Sequence, residues 1–476
     1  MLSQGELLII FFNFLSVFLI FIIIIRSIFN LINLTTNLRW ILSNFPKYTL
    51  RNKAEHNFNI CIPMLREQSI VKETLEYFAK LNYPQNKYRV YIVTTEREQK
   101  EKKNNYYLLD KLSEAIINKI DINLIFMKFG NLFSHKELEA LYKSLKTSNE
   151  LDVYKKLRDY YKNSPSTYAL AIESANKINE KLGTKLVEVI NYPESDGVMS
   201  HQINYLILKL SKSSPNSFFA IYNADSRPNK NTLLSVDTTI SKFLSKNGYN
   251  ANVIQQSSLF EYENATEANY LTKIFLFSAS VFQSKWTLVH EISRLRYQSS
   301  NTLKIKPTNI ISNFSSRISH CVGHGLFVRF EYLRKNLMPT ETINEDLPYG
   351  FYQSCRGEPI IPIPILELSD SPLSIKSLIN QKKVWFWPYI EYWKCKNIVL
   401  KSGQYRSKFE VIYLSLQGMF VGIIWFLQSV IFILPLISMV FSRQYSILLL
   451  YAFALTIYWI IPLYLITIFF YKNYLE

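Results

Sequence analysis

The sequence predicts an α/β fold anchored by one N-terminal and two C-terminal membrane-spanning helices. Three observations lead to this class. Long apolar segments without charge lie near both ends of the 476-residue chain, and between them short strand patterns alternate with helical ones. Polar residues also directly follow several strand patterns, as they do at the ligand-binding edge of parallel sheets.

Three segments are long and apolar enough to cross a bilayer, since about 20 apolar residues span its hydrocarbon core. They are residues 7–25, 411–441 and 445–471, and none contains a charged side chain. The first has no basic region before it and no clear small-residue cleavage site. We therefore expect a retained anchor rather than a signal peptide.

Basic residues set the expected orientation of these segments. Lysines and arginines follow the first segment, precede the second and follow the third, whereas none precedes the first. The positive-inside rule places such flanks in the cytosol, and only Arg443, between the last two segments, opposes this orientation. We expect an integral protein of the inner (cytoplasmic) membrane, with the N-terminus outside and the large central body in the cytosol.

The segments divide the chain into four expected domains. These are an N-terminal anchor and linker (1–45), a cytosolic domain (46–370), an amphipathic membrane-interface segment (371–408) and a C-terminal transmembrane hairpin (409–476). The interface segment is predicted from QKKVWFWPYIEYWK at 381–394, because Trp and Tyr concentrate where a membrane meets water.

The net charge indicates which partners to expect, and the cysteine pattern indicates whether a metal site or disulfides are expected. The formal net charge is +17, but no nucleic-acid motif is present, and much of the excess flanks the membrane segments. Anionic lipid headgroups explain this distribution better, so we expect membrane lipids and no nucleic acid among the partners. The four cysteines show no metal-ligand spacing and should be reduced thiols in the cytosol.

The cytosolic domain begins with a strand, a helix and a second strand. NFNICIP at 57–63 and YRVYIVTT at 88–95 read as strands, and apolar residues repeat every four positions between them, before Pro84. This order starts a parallel sheet, whose ligands bind at the carboxyl ends of the strands. Residues 65–67 and 95–96 are therefore candidates for a binding site by topology.

Further elements follow along the chain. Residues 97–180 are predicted to be helical, with the charged run EREQKEKKNN at 96–105 as a solvated loop. Glycines inside the pattern HCVGHGLFVR indicate close backbone approach to another group. Strand patterns also occur at 185–192, 217–225 and 252–258, and a helical pattern occurs at 268–286. Because of its prolines, EPIIPIPIL at 358–366 can form only an edge strand or a linker.

Five segments in this order resemble the membrane-anchored family 2 glycosyltransferases, related to the cellulose-synthase-like and polysaccharide-synthase group. They are IPMLREQ (62–68), GVMSHQINYLI (197–207), YNADSRP (222–228), TETINEDLPYGF (340–351) and QKKVW (381–385). The resemblance covers about 57–390. It implies a Rossmann-like GT-A nucleotide-sugar domain, an inverting transferase, and Mg²⁺ or Mn²⁺ as cofactor.

The resemblance assigns the donor side to Asn223 and Asp225. Members of the family carry Asp-x-Asp here; the last Asp meets the metal and the first contacts the donor. Asp225 is then the expected metal ligand, and Asn223 the donor-contacting residue, whose amide can still hydrogen-bond a hydroxyl. The alternative is a simple turn, for which Asn, Asp and Ser are common.

The resemblance assigns the general base to Asp346, which would take the proton of the acceptor hydroxyl. Glu345 beside it adds a like charge, which raises the pKa of one member of the pair toward a useful value. The alternative is a helix N-terminus, where acidic residues are favoured by the helix dipole. Both interpretations can hold together.

Four further residues are expected to contact the nucleotide sugar. Glu67 and Glu96 follow the first two strands, where the family carries acidic residues, although either could be a solvated loop carboxylate. Gln381 and Trp385 match the Gln-x-x-Arg-Trp motif of processive synthases, but Val384 replaces its arginine and cannot neutralise a phosphate. An aromatic belt at the membrane interface is the alternative for Trp385.

Two histidines fall in the resembling segments. His201 follows Gly197 and could contact a diphosphate, and His324 stands where the family places acceptor contacts. For both, a packed structural histidine is the favoured interpretation.

The sequence thus predicts a transferase that moves a sugar from a nucleotide-sugar donor to a lipid-linked or surface-glycan acceptor at the cytosolic membrane face. A processive polysaccharide synthase and a catalytically silent nucleotide-sugar-binding scaffold remain alternatives. Partner membrane proteins are left open. A transporter is disfavoured, because the predicted segments contain no ionisable residue.

Overall fold

The structure is a computed structural model that describes residues 4–45, 54–120, 122–129, 132–133, 135–210, 216–262, 269–303, 316–342, 344–442 and 447–474. The chain divides into two compact units. We call Asn57–Asp225 the central unit, and Met1–His56 together with Ser226–Glu476 the membrane unit.

The central unit contains a parallel sheet. Its strands are β1 (Asn57–Pro63), β2 (Tyr88–Thr95), β3 (Val187–Tyr192) and β4 (Ser217–Ile221). They lie in the order β3-β2-β1-β4, and every pair is parallel. The predicted strand–helix–strand unit is confirmed. Strand β4 is buried along its whole length, which agrees with its unbroken apolar sequence.

Helix α2 (Val71–Phe78) connects the first two strands. It buries Val71, Thr74, Leu75 and Phe78. These residues recur about once per helical turn and form the predicted apolar stripe. The helix ends at Phe78, well before Pro84, and a short 3₁₀ turn (Gln85–Lys87) precedes β2.

A block of helices follows β2, as predicted for 97–180. These helices are α3 (Arg97–Asn104), α4 (Tyr106–Ile117), α5 (Ile122–Phe129), α6 (His135–Leu145), α7 (Glu150–Asn163) and α8 (Thr167–Leu182). The block has its own apolar core, which includes Leu109, Leu112 and Leu157. Ser166 caps the start of α8 by accepting from the Ala169 amide, and Gly183 ends it in the left-handed conformation.

The prediction of a solvated loop at 96–105 is wrong. Residues 97–104 form α3, and Glu98 within it is only 8% exposed. The charged composition suggested solvent exposure, but tertiary packing supplies hydrogen-bond donors to the Glu98 carboxylate. Helix α9 (Met199–Lys209) completes the central unit between β3 and β4.

The membrane unit combines short strands with long helices. The strands are β5 (Val253–Gln255), β6 (Ser258–Glu261), β7 (Leu326–Arg329), β8 (Ile360–Pro362) and β9 (Glu367–Asp370). Strand β5 pairs antiparallel with β7 and parallel with β8, and β6 pairs parallel with β9. Within the described residues, β8 ends its sheet, as the prolines of 358–366 predict.

The helices of the membrane unit include three with the length and composition of membrane spans. The helices among the described residues of this unit are α1 (Gln4–Asn44), α10 (Thr232–Asn247), α11 (Tyr270–Trp286), α12 (Ile292–Thr302), α13 (Phe330–Lys335), α14 (Asp346–Arg356), α15 (Ile375–Ser402), α16 (Lys408–Ser442), α17 (Ile447–Leu455) and α18 (Ile461–Tyr474). Wider π-helical turns join α11 to α12 (Thr287–Glu291) and α17 to α18 (Thr456–Ile460).

The candidate spans among the described residues are Glu6–Asn44, Lys408–Phe441 and Ile447–Phe470, in agreement with the three predicted segments. The first helix is longer than its charge-free segment, since it continues through Arg26 to Asn44. Its second half packs Leu34 and Ile41 against Leu288 and Ile292, so tertiary contacts extend the helix beyond the apolar run.

Candidate functional site

A cavity of about 350 Å³ lies in the central unit at the carboxyl ends of β1, β2 and β4. The segments that follow these strands line it, which is where parallel sheets bind ligands. It brings the predicted residue Glu67 together with Asn223 and Asp225, which lie more than 150 positions later in the sequence. Its volume is within the range of small-ligand sites.

The loop that carries Glu67 is held by the helical block. Arg66 has a left-handed backbone (φ 63°), and its amide donates to the Glu98 carboxylate at 3.2 Å. The Glu67 amide donates to the Thr167 hydroxyl at 2.9 Å. Glu98 also accepts from the Gln68 side chain (3.0 Å) and from the Thr167 amide (2.8 Å). A buried carboxylate with three donors thus fixes this loop.

Sequence reasoning missed Glu98 and Thr167. Glu98 lies in a run of charged residues that is typical of a solvated surface, and Thr167 lies a hundred residues from the loop it holds. A charged residue in such a run gives no local signal of burial, because the groups that bury it come from elsewhere in the chain.

The Glu67 carboxyl is an unusually weak acid. Burial and, to a smaller extent, the negative charges of Asp225 and Glu98 together raise the pKa of Glu67 to about 7. The effect of Asp225 shows that the two carboxyl groups are electrostatic neighbours in the cavity. A cation bound there would favour the ionised form of both.

The residues of the cavity fit a divalent cation shared with a ligand. The described residues contain no cluster of three or more His, Cys, Asp or Glu side chains with metal-binding geometry. Mg²⁺, however, is commonly held by one or two carboxylates together with phosphate oxygens of a substrate. Glu67 and Asp225 provide two carboxylates, and Asn223 adds an amide oxygen, all of them hard ligands suited to Mg²⁺ or Mn²⁺.

Glu96 and His201 each have a hydrogen-bond partner within the protein. The Glu96 carboxylate accepts a hydrogen bond from the Asn191 side chain, across the neighbouring strand β3. The His201 ring accepts from the Val198 amide at 3.1 Å and so caps the start of α9. These contacts favour a structural role for His201 and give Glu96 a partner within the protein.

Glu345 and Asp346 lie in the membrane unit at the first residues of α14. Asp346 Oδ2 accepts from the Gly323 amide at 2.9 Å, and Oδ1 accepts from the Leu347 amide at 2.7 Å. Burial and the Asp346 charge raise the pKa of Glu345 to about 8, and burial also raises the pKa of Asp346. The pair is both a helix N-terminus and a coupled acid pair.

The glycine-containing segment before β7 contacts this pair. A Cβ atom on Gly323 would make an ordinary contact with Asp346 Oδ2 (3.4 Å), whereas one on Gly325 would lie 2.7 Å from Gln256 Cβ, so the predicted close backbone approach is to Gln256. The next residue, His324, is buried and lies 3.1 Å from Glu367 and 3.0 Å from the Ser258 hydroxyl. These partners favour the interpretation of His324 as a packed histidine.

Helix α15 carries the remaining predicted residues, Gln381 and Trp385. The Trp385 ring lies 6.0 Å from the Phe260 ring, and Lys382 Nζ lies 4.1 Å from the Trp385 ring centre. Val384 is 47% exposed and does not share this face. Lys382 is therefore the cation nearest to Trp385 along this part of the helix, since residues three apart are neighbours on a helix surface.

Comparison of the sequence with protein-family profiles and with curated proteins gives no match. Among solved structures, the mannosyltransferase PcManGT from Pyrobaculum calidifontis, in complex with GDP-Man and Mn²⁺, is similar with a TM-score of 0.39 and 10% identity. The similarity covers 92% of this chain and 97% of that one. S. aureus TarS 1–349 is similar with a TM-score of 0.31 and 11% identity, over 71% of this chain and 65% of TarS 1–349. Its complex with UDP-GlcNAc gives a TM-score of 0.30.

Proposed function

We propose that this chain is a membrane-anchored inverting glycosyltransferase of family 2 with a GT-A domain. It transfers a sugar from a nucleotide-sugar donor to a lipid-linked or surface-glycan acceptor at the cytosolic face of the cytoplasmic membrane. One observation carries the proposal: the cavity at the carboxyl ends of β1, β2 and β4, with Glu67, Asn223 and Asp225 in its wall.

The donor side follows from this set of oxygen ligands. A bound Mg²⁺ or Mn²⁺ neutralises a diphosphate leaving group. Asp225 and Glu67 are the carboxylates that would hold it, and the Asn223 amide hydrogen-bonds a hydroxyl of the donor. The Glu98–Thr167 contacts keep the Glu67 loop in place, so that the carboxylate need not be reordered when the donor binds.

The acceptor side follows from the acidic pair. Burial raises the pKa of both carboxyl groups, and their like charges repel, so a state with a single negative charge on the pair is favoured. The two backbone donors on Asp346 favour its ionised form. Asp346 takes the proton of an acceptor hydroxyl as that oxygen bonds the anomeric carbon. The bond to the diphosphate breaks with its electron pair leaving on the diphosphate, and the centre inverts.

The test is release of nucleoside diphosphate by full-length protein in detergent. A panel of nucleotide sugars is supplied with Mn²⁺ and a total lipid extract, and Asp225→Ala and Asp346→Asn are compared with Glu76→Gln, an exposed acid on α2. We expect one donor to react, with rates reduced by about 10²-fold or more in Asp346→Asn and unchanged in Glu76→Gln.

Other outcomes point to the alternatives. Metal-dependent donor binding without turnover in the parent protein would favour the silent scaffold. Long products from a single donor would favour the processive synthase despite Val384. Failure of every nucleotide sugar to bind would contradict the assignment of the cavity.

A further inference from the structure

Lys382 is a half-buried cation whose contacts are neutral. Its Nζ donates to the Gln283 side-chain oxygen at 2.8 Å and lies over the Trp385 ring. Burial lowers the pKa of Lys382 to about 8, and no nearby carboxylate offsets this effect. Among the described residues, no acidic group forms an ion pair with it.

Gln283 provides a second, independent observation. It is only 4% exposed, and its oxygen already accepts from Lys382. The other end of the same amide, Nε2, is buried and has no hydrogen-bond partner in the described part of the chain. Buried donors of this kind are normally paired, so an unpaired one indicates a missing acceptor.

The missing group should therefore be an anion that accepts several hydrogen bonds. A partly buried ammonium with only neutral neighbours carries an unfavourable desolvation free energy, and a bound anion offsets it. Phosphate oxygens accept from both an ammonium and an amide, and such charge-assisted hydrogen bonds are the strong ones. The Trp385 ring lies beside the Lys382 ammonium, and the Phe260 ring is tilted at 57° to it.

Two exposed isoleucines precede Lys382 on α15. Ile375, about two turns earlier, is 41% exposed, and Ile379, about one turn earlier, is 49% exposed. The same helix packs closely on the candidate span α16, since a Cβ on Gly418 would lie 2.5 Å from the Tyr392 ring. A phosphate at Lys382 would thus have exposed aliphatic side chains next to it.

We propose that Lys382 and Gln283, with Trp385 beside them, bind the phosphate group of a lipid phosphate. A lipid phosphate is then the chemical class of the acceptor, and this role rests on the proposed function. The binding of a lipid phosphate can be measured without turnover. The phosphate accepts from the Lys382 ammonium and from Gln283 Nε2, and its hydrocarbon chain lies against the exposed isoleucines.

Calorimetric titration of full-length protein in neutral detergent tests this binding. Dioctanoyl phosphatidic acid carries both chain and phosphate, dioctanoylglycerol carries the chain alone, and inorganic phosphate and UDP carry phosphate without a lipid chain. The variants are Lys382→Gln, Lys382→Arg and the matched control Lys383→Gln, which removes the same charge from an exposed neighbour. Melting temperatures establish that each variant is folded.

We expect phosphatidic acid to bind, and its Kd to rise about tenfold or more in Lys382→Gln. The Kd of Lys382→Arg should remain within about threefold of that of the parent protein, and the Kd of Lys383→Gln should equal that of the parent protein. Two results would overturn the proposal. If Lys382→Gln and Lys383→Gln weaken the binding of phosphatidic acid equally, the attraction to charge is unspecific. If Lys382→Gln weakens only the binding of UDP, the site does not bind a lipid phosphate. Phosphatidic acid bound through Lys382, in a protein that turns over no nucleotide sugar, would support the binding site and contradict the proposed function.

Discussion

Replacing Glu67 with Gln should stabilise the folded protein above neutral pH. Burial and the neighbouring Asp225 and Glu98 raise the pKa of Glu67 from 4.5 to about 7. At 1.4 kcal/mol per pKa unit, ionising this side chain destabilises the folded state by about 3 kcal/mol. Glutamine keeps the size and polarity of the side chain and removes the charge.

The sign and the pH range follow from the raised pKa. The folded state holds the Glu67 proton more tightly than the unfolded state, so the parent protein keeps this stability below pH 4.5 and loses it progressively up to about pH 7. The advantage of Glu67→Gln should therefore grow between pH 4.5 and 7 and stay constant above that range.

Thermal unfolding in detergent from pH 4.5 to 9 measures this difference. For a chain of this length, 3 kcal/mol corresponds to a shift in Tm of a few degrees. Glu76→Gln, on the exposed face of α2, is the control and should follow the parent protein at every pH. Parallel Tm curves for Glu67→Gln and the parent protein would refute the buried, charge-coupled position of Glu67.

A divalent cation adds a second readout to the same experiment. If Glu67 and Asp225 hold the cation, Mn²⁺ with a nucleoside diphosphate must displace the Glu67 proton, so its stabilising effect should increase from pH 5 to 8 in the parent protein. In Glu67→Gln that increase should be absent, whereas Glu76→Gln should retain it.

Three further changes probe the cavity, its support and the helix packing. Asn223→Asp adds a carboxylate to the cavity beside Asp225 and Glu67 and should lower the Mn²⁺ concentration for half-maximal nucleotide binding; an unchanged value would place Asn223 away from the cation. Glu98→Ala leaves three hydrogen-bond donors unpaired and should destabilise the protein by about 3 kcal/mol in thermal or urea unfolding, more than an exposed Glu76→Ala change. Gly418→Ala would bring a methyl group 2.5 Å from the Tyr392 ring and should lower Tm by separating α15 from α16; an unchanged Tm would contradict that packing.

Local patterns in the sequence predicted much of the architecture. A charge-free run of about 20 apolar residues can be recognised without knowing its neighbours, because the bilayer, not another segment, sets the requirement. The stripe Val71, Thr74/Leu75 and Phe78 likewise identifies α2, since helical period alone decides which residues share a face. The direction of β1 and β2 then placed Glu67 at a carboxyl edge.

The burial and contacts of charged side chains were harder to predict from the sequence, as Glu98 and Lys382 show. Glu98 lies in a run that is typical of a solvated surface, yet the loop after β1 and the start of α8 bury it. The contacts of Lys382 could not be predicted from the sequence, because its side chain covers the Trp385 ring and contacts Gln283 on α11, about a hundred residues earlier in the chain.

By itself, the sequence determined three segments long and apolar enough to span a membrane and the strand–helix–strand start of the sheet, because both depend on local periodicity or composition. The order of its motifs pointed to the acidic residues worth testing. Only the tertiary structure decided which of these residues share a cavity, which carboxyl groups are buried against like charges, and which cation meets neutral partners. Those properties depend on segments far apart in the chain, and the energy of a buried charge is set by whatever the fold brings next to it.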